Sequence, residues 1–174
     1  MNLTADLQNS FEDLKHKEID LIFFDKGWVS RDDNHLSIKG SQRVAIVLHS
    51  IPEIIFDLYP KDLELCFSLA ELESKKLDLA YYHNGVSRSL FPNSLQDKQL
   101  FSSIKDISLL YRIEERNKLL HLIMMECNTS NSLIIELYDS NFESLELSIK
   151  DKIDAHEYLK NTADNMIKFE LVTI

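Results

Sequence analysis

Between Ile107 and Ile149 apolar and polar residues alternate through four runs, ISLLYRI, KLLHLIMME, SLIIELY and SLELSI, separated by the short polar breaks EERN, CNTSN and DSNFE. A period of two marks strands with one dry face, and short polar breaks mark hairpins, so this stretch predicts a meandering antiparallel sheet. In the third run Leu133, Ile135 and Leu137 alternate with Ile134, Glu136 and Tyr138; in the fourth Leu145, Leu147 and Ile149 alternate with Ser144, Glu146 and Ser148. Residues 119–125 are apolar at almost every position, which predicts a central strand covered on both faces by helices.

The pattern changes at both ends. Leu3, Leu7, Phe11 and Leu14 recur at helical spacing, with Asn2 or Thr4 as cap, and predict an amphipathic helix over 4–17. Ile153, His156, Leu159, Ala163, Met166 and Ile167 predict a C-terminal helix across 151–168, with the apolar tail FELVTI as a last strand. In between, IDLIFFD reads as a strand ended by Lys26-Gly27, and 29–39 as a loop or ragged hairpin. The run RVAIVLHSIPEIIFDL over 43–58 suits either period, and the stripe Val44, Val47, Leu48 and Ile51 favours a helix before Pro52, with Pro60 closing the segment. After it LELCF reads as a strand, and Ser68 with Glu71 as the capping box of a short helix through Lys76. His83-Asn84-Gly85 supplies a tight turn between 77–82 and VSRSLF, and Ser94 with Asp97 begins another helix that carries Leu100, Phe101 and Ile104 on one side. The expectation is a single α+β domain over residues 1–174, a mainly antiparallel meander packed by N-terminal and C-terminal amphipathic helices.

Composition narrows the function classes. The 174 residues are 44% hydrophobic, enough for a core without staples, and Cys66 and Cys127 each stand inside an apolar run, as buried thiols do. The N-terminus carries acids and no apolar targeting run, and no stretch reaches the length of a membrane span, so the expected compartment is cytoplasmic. A net charge of −10, from 29 acids against 19 bases, argues against binding nucleic acid through phosphates and in favour of a basic partner. The excess is uneven: residues 136–170 hold nine acids and four bases, whereas 79–135 hold five acids and six bases.

Complete catalytic motifs are missing. Gly27, Gly40 and Gly85 are too far apart to cradle a phosphate, no CxxC pair exists, and His156-Glu157 opens like a zincin helix but has Lys160 where the second ligand must fall. No cofactor or metal is expected. His49 and His121 lie in apolar runs and His156 on a helical stripe, which reads as core or boundary packing. The block Asp32-Asp33-Asn34-His35-Leu36-Ser37 resembles the Asp-x-x-His block near the end of SGNH-type esterases and acetyltransferases. That resemblance implies Asp32 orienting His35 as the base that deprotonates a serine. In that family the nucleophilic Gly-Asp-Ser lies upstream, whereas here none precedes the block; Tyr138-Asp139-Ser140 has Tyr for the Gly and follows the His, so Ser140 serves only in a rearranged enzyme.

The leading expectation is therefore a non-enzymatic acidic binding protein that captures a basic protein partner, in its most economical form as an immunity or antitoxin-type inhibitor of a toxin domain. Trp28, rimmed by Asp25, Asp32 and Asp33, is the candidate aromatic anchor. Glu136, Asp139, Glu143, Glu146, Asp154 and Glu157 are the candidate docking acids, and an exposed edge of the meander that accepts a strand from the partner is the alternative mode of contact. Two other readings stand beside it: a chaperone for an exported client, and the esterase built on Asp32, His35 and Ser140.

Overall fold

The computed structural model describes residues 9–31, 35–71, 80–83, 86–89, 93–95, 102–138 and 141–174. Fourteen strands and one long helix are named among them. In chain order the strands are β1 (Glu18–Phe24), β2 (Trp28–Arg31), β3 (Leu36–Ser41), β4 (Val44–His49), β5 (Ile54–Lys61), β6 (Glu64–Glu71), β7 (Ala80–His83), β8 (Val86–Ser89) and β9 (Asn93–Leu95). The meander follows as β10 (Ile104–Glu114), β11 (Asn117–Cys127), β12 (Asn131–Tyr138) and β13 (Ser144–Asp151), then helix α1 (Lys152–Asp164) and β14 (Phe169–Thr173).

All pairings are antiparallel. Five strands form one sheet in the order β6-β5-β4-β1-β9, seven form another in the order β14-β10-β11-β12-β13-β3-β2, and β7-β8 is a separate hairpin. The two large sheets share one continuous core that includes Ile22, Ile46, Phe56, Ile107, Ile123, Ile135 and Leu147. Phe11, fully buried, sits in that core between Phe56 and Phe67, with ring centroids 5.8 and 4.8 Å away. On its other face the seven-stranded sheet carries α1, where Ala155, Leu159 and Ala163 pack on Leu110, Leu122, Met124 and Ile134. The layers are sheet, sheet and helix, within the α+β class but dominated by strands.

The meander stands where the alternation places it, and so do the first strand, the β7-β8 hairpin and the last strand. Other expectations are corrected. The helix favoured before Pro52 is instead strand β4, and β5 follows the proline: β4 is buried at all five positions from Val44 to Leu48, and a β-branched run buried on both faces satisfies its backbone by pairing with β1 and β5. Pro60 does not end a segment, because β5 has already outrun β4 beyond Leu58, where a missing N–H costs no bond to that neighbour. Ser68 and Glu71 pair with Asp57 and Ile54 of β5, so cross-strand bonds override the capping-box pattern there, while 72–76 lie outside the described residues. Ser94 lies in β9 against Phe23 instead of starting a helix; 96–101 lie outside the described residues.

Residues 29–39 contain a hairpin, β2 against β3. Of the N-terminal helix, residues 9–12 are helical and 1–8 lie outside the described residues, with Phe11 and Leu14 supplying the buried contacts. The C-terminal helix ends at Asp164, four residues short of expectation, and it buries Ala155, Leu159 and Ala163 while Ile153 and Ile167 are exposed. β11 is central, but its two faces are covered by a sheet and by one helix, not by two helices. Cys66 and Cys127 are free thiols.

Candidate functional site

Strand register lays one row of side chains across the outer face of the seven-stranded sheet: Leu110, Leu122, Glu136, Glu146, Lys39 and Trp28. Helix α1 covers the apolar start of this row and leaves its far end open. There, among the described residues, β2 pairs with β3 alone and forms the sheet's edge. All four β2 residues are exposed, Trp28 to 84% and Val29 to 60%.

The local chain explains why Trp28 stands out. Asp25 Oδ1 accepts from Ser41 Oγ at 2.6 Å and from the backbone N–H groups of Lys26 and Gln42 at 2.7 and 3.0 Å, clamping the turn before β2 to the turn after β3. Asp25 is thus an anchor of the turn and not a rim for a partner. Gly27 lets the chain pass close by, since a Cβ there would meet Ile38 Cγ2 at 2.8 Å. At Gly40, φ is +82° and the register slips between Leu145 and Glu146, a bulge that bends β3 beneath the same edge.

The docking acids do not gather into one free face. Glu136 is 6% exposed and bonds the Tyr158 hydroxyl of α1, so it is not a surface acid. Glu146 accepts from Ser37 Oγ at 2.8 Å, with Lys39 Nζ at 3.5 Å. Asp154 lies 2.9 Å from Nε2 of His35. Glu143 and Glu157 are exposed. Asp32, Asp33, Asp139 and Ser140 lie outside the described residues, so of the esterase-like constellation only His35 is described, and its described ring contact is with Asp154 on α1. His156, read as a boundary imidazole, lies 2.6 Å from the buried Glu126, which also meets Lys152 at 2.8 Å and so fastens the first turns of α1 to the sheet.

A second feature, absent from the sequence reading, is a cleft of about 470 Å³ between the last turns of α1 and the sheet. Its wall depends on a bulge in β11. Leu110 faces Leu122 and Tyr111 faces Leu120, so His121 is the extra residue. Its ring lines the cleft, edge-on to Phe142 at 5.6 Å between centroids. The guanidinium of Arg112 lies over the same Phe142 ring, 4.3 Å from its centroid.

Three titratable groups in this cleft, Glu136, His121 and Tyr158, are displaced from their ordinary values. Burial raises the Glu136 carboxyl from 4.5 to about 7; the Tyr158 hydrogen bond opposes this, and the Glu146 carboxylate opposite it on β13 adds to it. Burial, then the nearby Arg112 charge, lowers His121 from 6.5 to about 4, so its imidazole is neutral at pH 7, and the buried Nδ1 meets no hydrogen-bond partner. Burial and the Glu136 carboxylate push the Tyr158 phenol upward. A polar His inside the apolar run 119–125 was the one sequence signal for this cleft; alternation alone hides it, because a bulge breaks the parity that sequence reading assumes.

Comparison with known proteins finds no relative: no family model fits the chain, and neither a curated protein nor a solved structure matches it significantly. Among the described residues no three His, Cys, Asp or Glu side chains converge as metal ligands, and no helix is long and apolar enough to cross a membrane. Chemically, β2 is an exposed edge strand bearing an aromatic anchor, and the cleft offers hydrogen-bonding groups held away from water.

Proposed function

We propose that this chain is a non-enzymatic binding protein that captures a basic protein partner at the β2 edge, with Trp28 as the anchor and neutralisation of a toxin domain as the specific form. One observation carries this reading: a Trp exposed to 84% beside a Val exposed to 60% on an edge strand. Such an edge is a ready template for a partner's strand, and exposed aromatic anchors concentrate binding energy. Nothing in the core requires Trp28 to stand there.

Charge enters at longer range. With Glu136, Glu146 and Asp154 engaged inside the fold, attraction of a basic partner comes from the overall charge of −10 rather than from one patch of carboxylates. That field speeds encounter and is screened by salt, whereas strand pairing and the Trp28 contact hold the complex.

A second reading is favoured at the opposite edge, where β14 exposes Phe169 to 43% and Leu171 to 45%, apolar contacts of the kind a chaperone for an exported client uses. Paired capture experiments separate the two, with wild type and Trp28→Ala as bait in lysate of the organism that encodes the chain. The proposal expects a basic protein retained by wild type and lost with Trp28→Ala. A partner that binds both baits equally, or binding indifferent to salt and lost on Leu171→Asp, overturns it in favour of the β14 edge.

A further inference from the structure

The cleft beside α1 has features that structural packing does not require. Phe142 holds φ at +54°, a left-handed conformation that costs a bulky residue free energy, and in that pose its ring meets both His121 and Arg112. His121 reaches the wall through the β11 bulge, and its buried Nδ1 lacks a partner. Arg112 Nε is buried as well. Glu114 Oε1 stands 2.9 Å from it but off the N–H direction, so the ion pair balances charge and leaves the donor without a well-directed acceptor. Strain, a bulge and two unsatisfied buried nitrogens converge on one concavity of ligand size.

Its charge is also unlike that of the rest of the molecule. Arg112 and Lys168 stand against Glu114 and Glu136 on the lining, an even count in a chain with ten more acids than bases. Glu136 is faced by Tyr158 of α1, by Glu146 and Lys150 of β13 and by Lys39 of β3. Because its carboxyl stays protonated up to about pH 7, Glu136 adds no negative charge to the cleft below that pH. An anion beside Arg112 then competes with one carboxylate of the lining, Glu114, instead of two.

We propose that this cleft binds a small organic carboxylate with a planar ring: the carboxylate meets Arg112 and Lys168, and the ring packs against Phe142 and His121. Guanidinium is the cation best matched to carboxylate geometry, and a flat apolar body suits an aromatic and an imidazole wall. The site is separate from the Trp28 edge, so either can fail without the other.

The test uses benzoate as probe, with benzylamine as the opposite charge, followed by the NMR shifts of the His121 imidazole and the Phe142 ring in the full chain. Benzoate is expected to move both signals saturably, to bind more tightly than benzylamine, and to weaken between pH 6 and pH 8 as Glu136 ionises. Arg112→Gln is expected to weaken benzoate roughly tenfold, and Glu136→Gln to remove the pH step. Should Arg112→Gln not fold, the exposed Lys168→Met carries the same test with an expected loss of roughly threefold. Absence of any shift up to the solubility of benzoate, tighter binding of benzylamine, or affinity unchanged in a folded Arg112 or Lys168 variant overturns the proposal.

Discussion

Glu136 and His121 make opposite demands on pH. A carboxyl raised from 4.5 to about 7 keeps its proton in the fold where the unfolded chain has released it, so its contribution to stability falls as pH rises across that window. An imidazole lowered from 6.5 to about 4 stays bare in the fold where the unfolded chain takes a proton, so its contribution falls as pH drops from 6.5 towards 4. Each shift corresponds to roughly 3 kcal/mol across its window, and between 4.5 and 6.5 the two slopes cancel. Glu136→Gln is therefore expected to expose a loss of stability on acidification through 6.5, and His121→Asn a loss on raising pH from 4.5 to 7, both read from denaturant midpoints along a pH series. Matching pH profiles for wild type and both variants would refute this pairing. At Gly27 a methyl group would strike Ile38, with φ at +155° adding strain, so Gly27→Ala is expected to cost about 1–3 kcal/mol in urea unfolding. Of these residue-scale features the sequence offered one trace, a polar His inside the apolar run 119–125. His121 read as core because a bulge leaves no mark on composition, and Glu136 read as a surface acid because alternation says which face a residue takes, not what covers it.

Elements divide along similar lines. The meander was legible because its contacts are local: each of β10 to β13 pairs with its sequence neighbour, and their turns are written in short polar breaks. Strand β4 suited a helix as well as a strand because both of its faces are buried, which erases the period of two, and its neighbours β1 and β5 are set by pairing that no short window contains. Helix α1 was found, but its buried face follows Ala155, Leu159 and Ala163 and not the larger Ile153 and Ile167, since small residues let the helix lie close to the sheet. Leu159 is the largest side chain of that buried face, and Leu159→Ala is expected to cost about 2–4 kcal/mol, measured as a shift in urea midpoint. The β2 edge yields the converse prediction. Val29→Lys, on an exposed strand, should leave the midpoint within about 0.5 kcal/mol of wild type while abolishing capture of a basic partner.

For the whole molecule, charge was legible and its arrangement was not. The count of acids predicted a basic partner, but the fold spends Glu136, Glu146, Asp154, Glu126 and Asp57 on internal hydrogen bonds and ion pairs, so no single carboxylate face follows from composition. What remains outward is a net negative charge on a sheet that has, among the described residues, two open edges, one of them bearing Trp28. Encounter with the partner should therefore slow as salt rises, while dissociation changes little. Trp28 is the chain's one tryptophan, so its emission reports the edge without a label. The most direct measurement is a titration of that emission with the basic protein recovered by capture. Saturable quenching or a blue shift, with affinity lowered at least roughly thirtyfold in Val29→Lys, is the predicted result. Emission that stays that of a solvated indole while the partner binds would place the contact elsewhere and contradict the β2 edge as the binding site.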